Sequence, residues 1–444
     1  MPTEMTSWTR QTPSRDFRDL YVGPQPDLIL SLDIIPGRDG RDALRARMSG
    51  AATSGLYSAG YGPRLSVKPS TVRLKAAELC WLWDEVFVGF TPYDANDNLA
   101  GGRLEHPYAD QIDLHGEPRE EFLRILRELV LMGEQLLFHT LFGEEQDEVI
   151  SFRDDLAKIL AKEGLRIRFD SELFLPWPMM CLRPVDLPEV SQDEPEGLFE
   201  RFLGYRHRIE QTGDAHPPTA APTALTKPPV VSLNHDRTID VTGQLTCKNM
   251  VASALKDGTV PCERARRHEL LEALQDPRLD EHLMYFWCHG AFEPAGSEPP
   301  HLVIRLTDQM AIHAGNVHAW RTSIGKDTPF HPFVILNACH ASASGGEADR
   351  AHLGGEFILS GARGVLGPQI GMPQKFAAEY ALRFVRLYLD GDDTAGGIAL
   401  TLARNFADEL HNPLAIAYSL HYGMDTRLTR APVTATGHEQ EVVA

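Results

Sequence analysis

Two short apolar runs end in side chains able to do chemistry: Met284-Tyr285-Phe286-Trp287-Cys288-His289-Gly290 and Phe333-Val334-Ile335-Leu336-Asn337-Ala338-Cys339. A cysteine serves as an acyl-transfer nucleophile when a nearby imidazole draws it toward thiolate and later protonates the leaving amine, while backbone N–H groups receive the oxyanion. That chemistry would make Cys339 the nucleophile, His289 the general base and acid, and the amides of Gly290 and Cys339 the oxyanion donors. Gly290 suits the role because, without a Cβ, it lets a carbonyl approach its N–H closely. Other readings stay open at this point. A histidine at a strand end is commonly structural, and a cysteine in an apolar strand is commonly an inert small hydrophobe. Cys288-His289 and Cys339-His340 also form two Cys-His pairs of the kind metals use. Adjacent strand residues point to opposite faces, however, so neither pair can readily serve one ion. Cys288 is therefore expected inside the sheet, and His340 and His352 in solvated or loop positions.

The elements that would position these residues follow from length and flanking signals. Both runs are too short for helices and are bounded by Gly, Pro or Ser, so they read as parallel strands buried on both faces, with His289 and Cys339 at carboxyl ends where open α/β sheets place ligands. Asp27 to Ile35 alternates as a strand and is followed by a Gly-, Ser- and Ala-rich loop to about residue 62. Arg64–Lys68, Ser70–Lys75 and Trp81–Phe90 read as further β segments. Tyr93–Asn98 reads as a polar turn. Residues 1–105 are thus expected to form a small β-rich unit. Amphipathic helices follow at Glu120–Phe138 and Phe152–Ala161, then a strand at Leu165–Asp170 and a turn through Pro176-Trp177-Pro178. After a Pro-, Ala- and Thr-rich loop at 213–229 come a strand (Val230–Leu233), a helix (Glu263–Leu274) and the two apolar runs. A helix, tight turn and strand over 353–367 follow, then helices at Phe376–Leu389 and Gly397–Leu410, and a polar, disordered tail from about residue 427.

The chain of 444 residues carries 62 acidic and 43 basic side chains, a formal net charge of −19. That surface repels phosphate backbones and anionic membranes, which argues against nucleic acid as a direct partner. With no apolar stretch of spanning length and no apolar leader, the expected location is cytoplasmic, away from membranes. Six cysteines without CxxC pairs suggest reduced thiols rather than a disulfide framework or a zinc ribbon.

Taken together, the motifs resemble a CHAT domain, a caspase-like cysteine peptidase of the caspase-hemoglobinase fold in clan CD. The resemblance rests on the strand ending His289-Gly290, on Asn337-Ala338-Cys339-His340-Ala341-Ser342, on Leu353–Gly367, on the helix closed by Gly391 and on Ala403-Arg404. Leu165–Trp177 resembles the strand and PW turn of the amino-terminal half, so the likeness covers about residues 110–425. It implies an α/β fold with a caspase-like, mostly parallel sheet flanked by helices. The implied organisation is a β-rich unit (1–105), a pseudo-caspase-like half (106–212), a Pro-rich loop (213–229), a catalytic half (230–426) and a tail (427–444). It also implies a cysteine endopeptidase with His289 and Cys339 as a dyad, needing no metal or cofactor. Such a peptidase would cleave a specific protein partner after an activating signal, in bacterial immunity or regulated cell death. The chain departs from related peptidases at Asn337, where an Asp that accepts a basic side chain is often found; Asn337 is the candidate for the substrate pocket. It departs also at Pro178, where the family commonly has Glu. A non-catalytic caspase-like interaction scaffold is the alternative from another class. A small-ligand sensor ranks below both, because no Gly-rich phosphate loop joins a strand to a helix.

Overall fold

The computed structural model of the protein describes residues 24–36, 42–53, 62–89, 107–213, 223–225, 227–239, 246–295, 298–324, 330–339 and 348–430. Alternation in Leu28-Ile29-Leu30-Ser31-Leu32 builds strand β1 (Leu28–Pro36), with Leu28, Leu30 and Leu32 buried. The following stretch, expected as a loop, contains an antiparallel partner, β2 (Asp42–Ser49). Leu44, Ala46 and Met48 are buried while Arg45 and Arg47 alternate with them, so charges on the outer face conceal the strand pattern. β3 is only Arg64–Leu65. The expected strands Ser70–Lys75 and Trp81–Phe90 are helical as far as Val88, in a helix Pro69–Leu82 that runs into a π-helical turn Trp83–Val88. Val72, Ala76, Leu79 and Trp83 recur at helical spacing and are all buried, which outweighs the local β propensity of Val, Trp and Phe. Tyr93–Asn98 lies outside the described residues.

The remaining strands are β4 (Arg166–Ser171), β5 (Arg208–Thr212), β6 (Thr223–Leu225), β7 (Val230–His235), β8 (Val260–Arg264), β9 (Leu283–Ala295), β10 (Glu298–Arg305), β11 (Ala311–Ile312), β12 (Phe333–Cys339), β13 (Gly364–Pro368), β14 (Tyr418–His421) and β15 (Leu428–Arg430). Two of these correct the sequence reading. β6 lies in the stretch read as a Pro-rich loop, and β15, in the stretch read as a disordered tail, pairs with it in parallel. Their pairing is long-range, so neither short segment carries a strand signal of its own.

Among the described residues, thirteen strands form one mostly parallel sheet in the order β11-β10-β9-β12-β13-β14-β5-β4-β1-β2-β3, with β7 bridging β8 to β9. β1 pairs in parallel with β4, so the first three strands continue this sheet rather than form a separate one. The β5–β14 junction rests on one register pair, Gln211 with His421, and is reinforced around it. Arg166 binds Asp425 through two contacts of 2.6 Å, and the Met424 N–H donates to Glu210.

Helices flank the sheet on both faces. Leu283, Tyr285, Trp287, Phe333 and Ile335 belong to a core shared with helices Gln374–Asp390 and Ala395–Leu410. Met284, Phe286, Cys288, Val334 and Leu336 belong to a second core with helices Arg267–Leu274, Ala314–Thr322 and Ala348–Leu359. Burial on both faces is why β9 and β12 read as continuous apolar runs instead of alternating. Gly391 caps the Gln374–Asp390 helix at φ +77°, a left-handed position that glycine takes without a steric penalty. No helix among the described residues is long and apolar enough to cross a membrane.

His207, only 1% exposed, joins β5 to the helix Asp147–Leu160 through a 3.0 Å hydrogen bond between its Nε2 and the Leu160 carbonyl. Burial, with Arg206 and Arg404 nearby, lowers its pKa to about 3, against the partial opposing effect of that hydrogen bond. The folded state therefore binds fewer protons than the unfolded chain between about pH 3 and the ordinary value of 6.5. Stability from this group is complete above pH 6.5 and is lost as pH falls through that window, by about 2 kcal/mol at pH 5. Urea unfolding of wild type and His207→Gln at pH 7 and pH 5 should show this acid loss in wild type only. Equal losses in both proteins would remove His207 as the cause.

Candidate active site

The parallel pairing of β9 with β12 runs in register from Leu283 opposite Phe333 to His289 opposite Cys339. The backbones of the two sequence-predicted residues are therefore direct neighbours across adjacent strands. His289 does not end its strand, as the sequence reading expected. β9 continues to Ala295 and pairs antiparallel with β10, Gly290 lying opposite Ile304. What ends at His289 is the parallel ladder. On the other edge of β9, β7 occupies the positions from Leu283 to Trp287, and β10 takes over from His289, opposite Arg305. His289 thus sits at a fork flanked by the carboxyl ends of β7 and β12, a placement that suits ligand binding in α/β sheets.

The residue that leaves β7 at this fork is Asp236, which the sequence reading missed. Its N–H still donates to the Trp287 carbonyl at 2.8 Å. Its carboxylate is fully buried and lies 3.6 Å from His289 Nε2, an ion-pair rather than a hydrogen-bond distance. Oδ1 accepts from the Thr238 N–H at 2.8 Å and the Thr238 hydroxyl at 2.7 Å. Oδ2 accepts from Gln309 Nε2 at 2.6 Å. Gln309 holds its backbone at φ +55°, a left-handed conformation that side chains other than glycine seldom adopt. Thr307 closes the junction: its hydroxyl donates to the His235 carbonyl at 3.4 Å and accepts from the Arg237 N–H at 2.8 Å. A carboxylate facing Nε2 favours the tautomer with the proton on that nitrogen. The sequence signal was an Asp following a short apolar strand. That pattern is common in turns, so Asp236 emerged only through the pairing of β7 with β9.

The other sequence-predicted residues separate by face. Cys288 is fully buried in the second core, on the face opposite Trp287. Asn337, the candidate for the substrate pocket, is 1% exposed. Its Nδ2 donates to the Ala377 carbonyl at 2.8 Å and the Tyr285 hydroxyl at 3.3 Å, while its Oδ1 accepts from the Tyr418 hydroxyl at 2.9 Å. The carboxamide ties β9, β14 and the helix Gln374–Asp390 to β12, so this position acts on the fold. Pro178 lies buried in a 3₁₀ turn, Trp177–Met179, beside Trp177, whose indole stacks on Phe169 with centroids 3.9 Å apart. His340 lies outside the described residues, and His352 belongs to the helix Ala348–Leu359.

No protein-family model matches the sequence. A protein of Vitiosangium sp. described as a probable protease is 28% identical over 162 residues, which are 36% of this chain and 20% of that protein. The chain therefore matches about a fifth of the length of that curated relative. Among solved structures, the chain is similar to two crystal structures of the Saccharomyces cerevisiae separase–securin complex. Their TM-scores are 0.39 and 0.38, each at 11% identity, covering 90% of this chain and 30% of the matched chain.

Two measurements follow from the fork. Asp236→Asn should slow His289-dependent alkylation of Cys339 by iodoacetamide about tenfold or more, with Gln309→Ala producing a smaller loss in the same direction. Alkylation of Asp236→Asn at the wild-type rate would remove Asp236 from the orientation of His289. Asn337→Ala should lower unfolding free energy by about 1–3 kcal/mol through the lost buried hydrogen bonds; an unchanged urea midpoint would contradict that assignment.

Proposed function

We propose that the chain is a cysteine endopeptidase of the CHAT, caspase-like type, and the observation that carries this reading is the register pair of His289 with Cys339 on adjacent parallel strands. Backbones in neighbouring strands lie about 4.8 Å apart, so a thiol and an imidazole at paired positions of one face are within reach of each other. Asp236 supports the reading because a buried carboxylate behind an imidazole is the arrangement that orients a general base. The described protease character of the Vitiosangium relative is consistent with it.

In this mechanism His289 takes the proton of Cys339, and the thiolate sulfur forms a bond to the peptide carbonyl carbon. The carbonyl oxygen becomes an oxyanion and accepts hydrogen bonds from the N–H groups of Gly290 and Cys339. As the C–N bond breaks, His289 delivers its proton to the departing amine, leaving a thioester. Water then gives a proton to His289 while its oxygen attacks the thioester carbon; the C–S bond breaks, His289 returns the proton to the sulfur, and the acid product leaves, losing its own proton to solvent. Neither a metal nor a cofactor enters these steps. The substrate is a specific protein partner, and cleavage follows an activating signal delivered by a second protein or a signal-bound partner. The setting is cytoplasmic, in bacterial immunity or regulated cell death.

Cys339→Ala and His289→Ala should each lower cleavage of the protein substrate by about four orders of magnitude or more, the scale on which members of such a catalytic unit act. The assay is co-incubation with products of neighbouring genes, with and without the activating partner, followed by mapping of new termini by mass spectrometry. Cleavage that persists in either variant would refute the mechanism.

A further inference from the structure

Parallel pairing determines which part of the chain borders the end of β12 on its far edge. β13 runs beside β12 with Phe333 opposite Gly364, Val334 opposite Val365 and Ile335 opposite Leu366. Carried forward at the same offset, that register brings Pro368 level with Asn337 and Ile370 level with Cys339. The loop Gln369–Pro373, which joins β13 to the helix Gln374–Asp390, therefore passes the nucleophile's strand on the edge away from His289.

Two kinds of contact fix this loop. Ile370 and Met372 are buried in the core shared with the helices Gln374–Asp390 and Ala395–Leu410, and the Gln369 N–H donates to the Ala417 carbonyl at 2.8 Å. Gly371, partly exposed between the two apolar anchors, is held differently: its N–H donates to Asp84 Oδ1 at 2.7 Å, across 287 positions of sequence. Asp84 belongs to the π-helical turn Trp83–Val88 near the amino terminus. Its neighbours Trp83 and Phe87 are fully buried, Trp83 edge-on to Phe202 with centroids 5.7 Å apart and Phe87 stacked on Tyr108 at 4.9 Å. The Gly89 N–H closes the turn on the Asp84 carbonyl at 2.8 Å. The carboxylate is thus offered from a fixed support to the most pliable residue of the loop. A hydrogen bond to a carboxylate is stronger than one between neutral groups, so it sets the direction of that planar peptide unit. The core already retains the loop through Ile370 and Met372. What Asp84 adds is orientation at the residue left partly exposed, whose own carbonyl accepts no hydrogen bond among the described residues.

We propose that Asp84 is a positioning residue for the candidate site: its carboxylate orients the Gly371 peptide of the loop beside the nucleophile's strand, so that the amino-terminal helices take part in holding a bound peptide. The inference rests on the peptidase reading above and adds to it a role for a residue far from the dyad in sequence. A bond that served only stability would affect every reaction of the thiol alike, whereas a positioning bond acts on peptide binding alone.

The test compares wild type, Asp84→Ala and Asp84→Asn as full chains with the activating partner, read by the rate of Cys339 modification by intact mass. The probes are tripeptidyl chloromethyl ketones ending in Asp, Leu or Arg and, as a reagent that needs no peptide groove, iodoacetamide. Asp84→Ala should raise the half-saturating concentration of the fastest peptidyl reagent about fivefold, the worth of one hydrogen bond, with its limiting rate and the iodoacetamide rate unchanged. Asp84→Asn, which keeps an oxygen acceptor, should recover most of that loss. Asp84→Glu, which moves the carboxylate by one methylene, gives the same reading if the alanine variant does not fold. An Asp84→Ala variant that binds the peptidyl reagent as wild type does, or that loses peptidyl and iodoacetamide modification in equal proportion, would overturn the positioning role and leave the peptidase reading standing. Absence of wild-type modification by every peptidyl reagent would instead count against the peptidase reading. The loop contact is then decided separately by hydrogen exchange at the Gly371 amide, followed by mass spectrometry of peptides spanning 369–373. Exchange about tenfold or more faster in Asp84→Ala supports the contact, and equal exchange overturns it.

Discussion

A β-strand has two edges, and each position on an edge can pair with only one neighbour. β9 is where this constraint acts most strongly. Its one edge is taken by β12 up to the pair His289–Cys339, and its other edge is divided between β7 and β10. Because β10 claims the positions from His289 onward, β7 has to leave the sheet after His235, and Asp236 turns in behind the imidazole. The antiparallel return of β10 thus determines where a parallel strand ends, and that end places a carboxylate 3.6 Å from His289. The geometry of the site is a consequence of backbone hydrogen bonding before it is a matter of side chains.

Burying Asp236 completely would cost several kcal/mol if its charge were left uncompensated. Donors from Thr238 and Gln309 offset that cost, and they come from the two segments that meet at the fork. The left-handed backbone of Gln309 adds strain of about 1–2 kcal/mol, which persists because Gln309 also donates to the Leu306 carbonyl and its N–H closes the same turn. A strained residue held by several hydrogen bonds around a buried carboxylate makes a rigid support for one imidazole. In the proposed mechanism such rigidity serves proton transfer, because the imidazole keeps one nitrogen toward Asp236 while the other exchanges the proton.

The sheet supplies the mechanical background. Both faces of β9 and β12 are packed against helices, so these strands cannot slip without moving one core into the place of the other. The amino-terminal strands β1 to β5 extend this frame through a junction of one register pair and a cluster of polar ties around Arg166, Glu210 and Asp425. Asn337 contributes from within β12, where one carboxamide holds β9, β14 and the helix Gln374–Asp390 together. Asn337, the position proposed from sequence for a substrate pocket, thus serves packing here.

Much of this architecture was legible in the residue order. Apolar runs buried on both faces identified β9 and β12, and amphipathic spacing identified the helices Arg119–Glu134, Gln374–Asp390 and Ala395–Leu410, because burial imposes a period that local sequence displays. Elements whose identity depends on distant partners were not legible. β2 hides behind alternating arginines, the helix Pro69–Leu82 reveals its buried face only through Val72, Ala76 and Leu79, and β6 with β15 exist only because segments two hundred residues apart meet. The same division holds for the site. Residue type alone singled out His289, Gly290 and Cys339, since few side chains can perform acyl transfer. The position of Asp236 behind His289 and the burial of Asn337 were decided by which strand pairs with which, and strand pairing is a property of the folded sheet that no single stretch of chain contains.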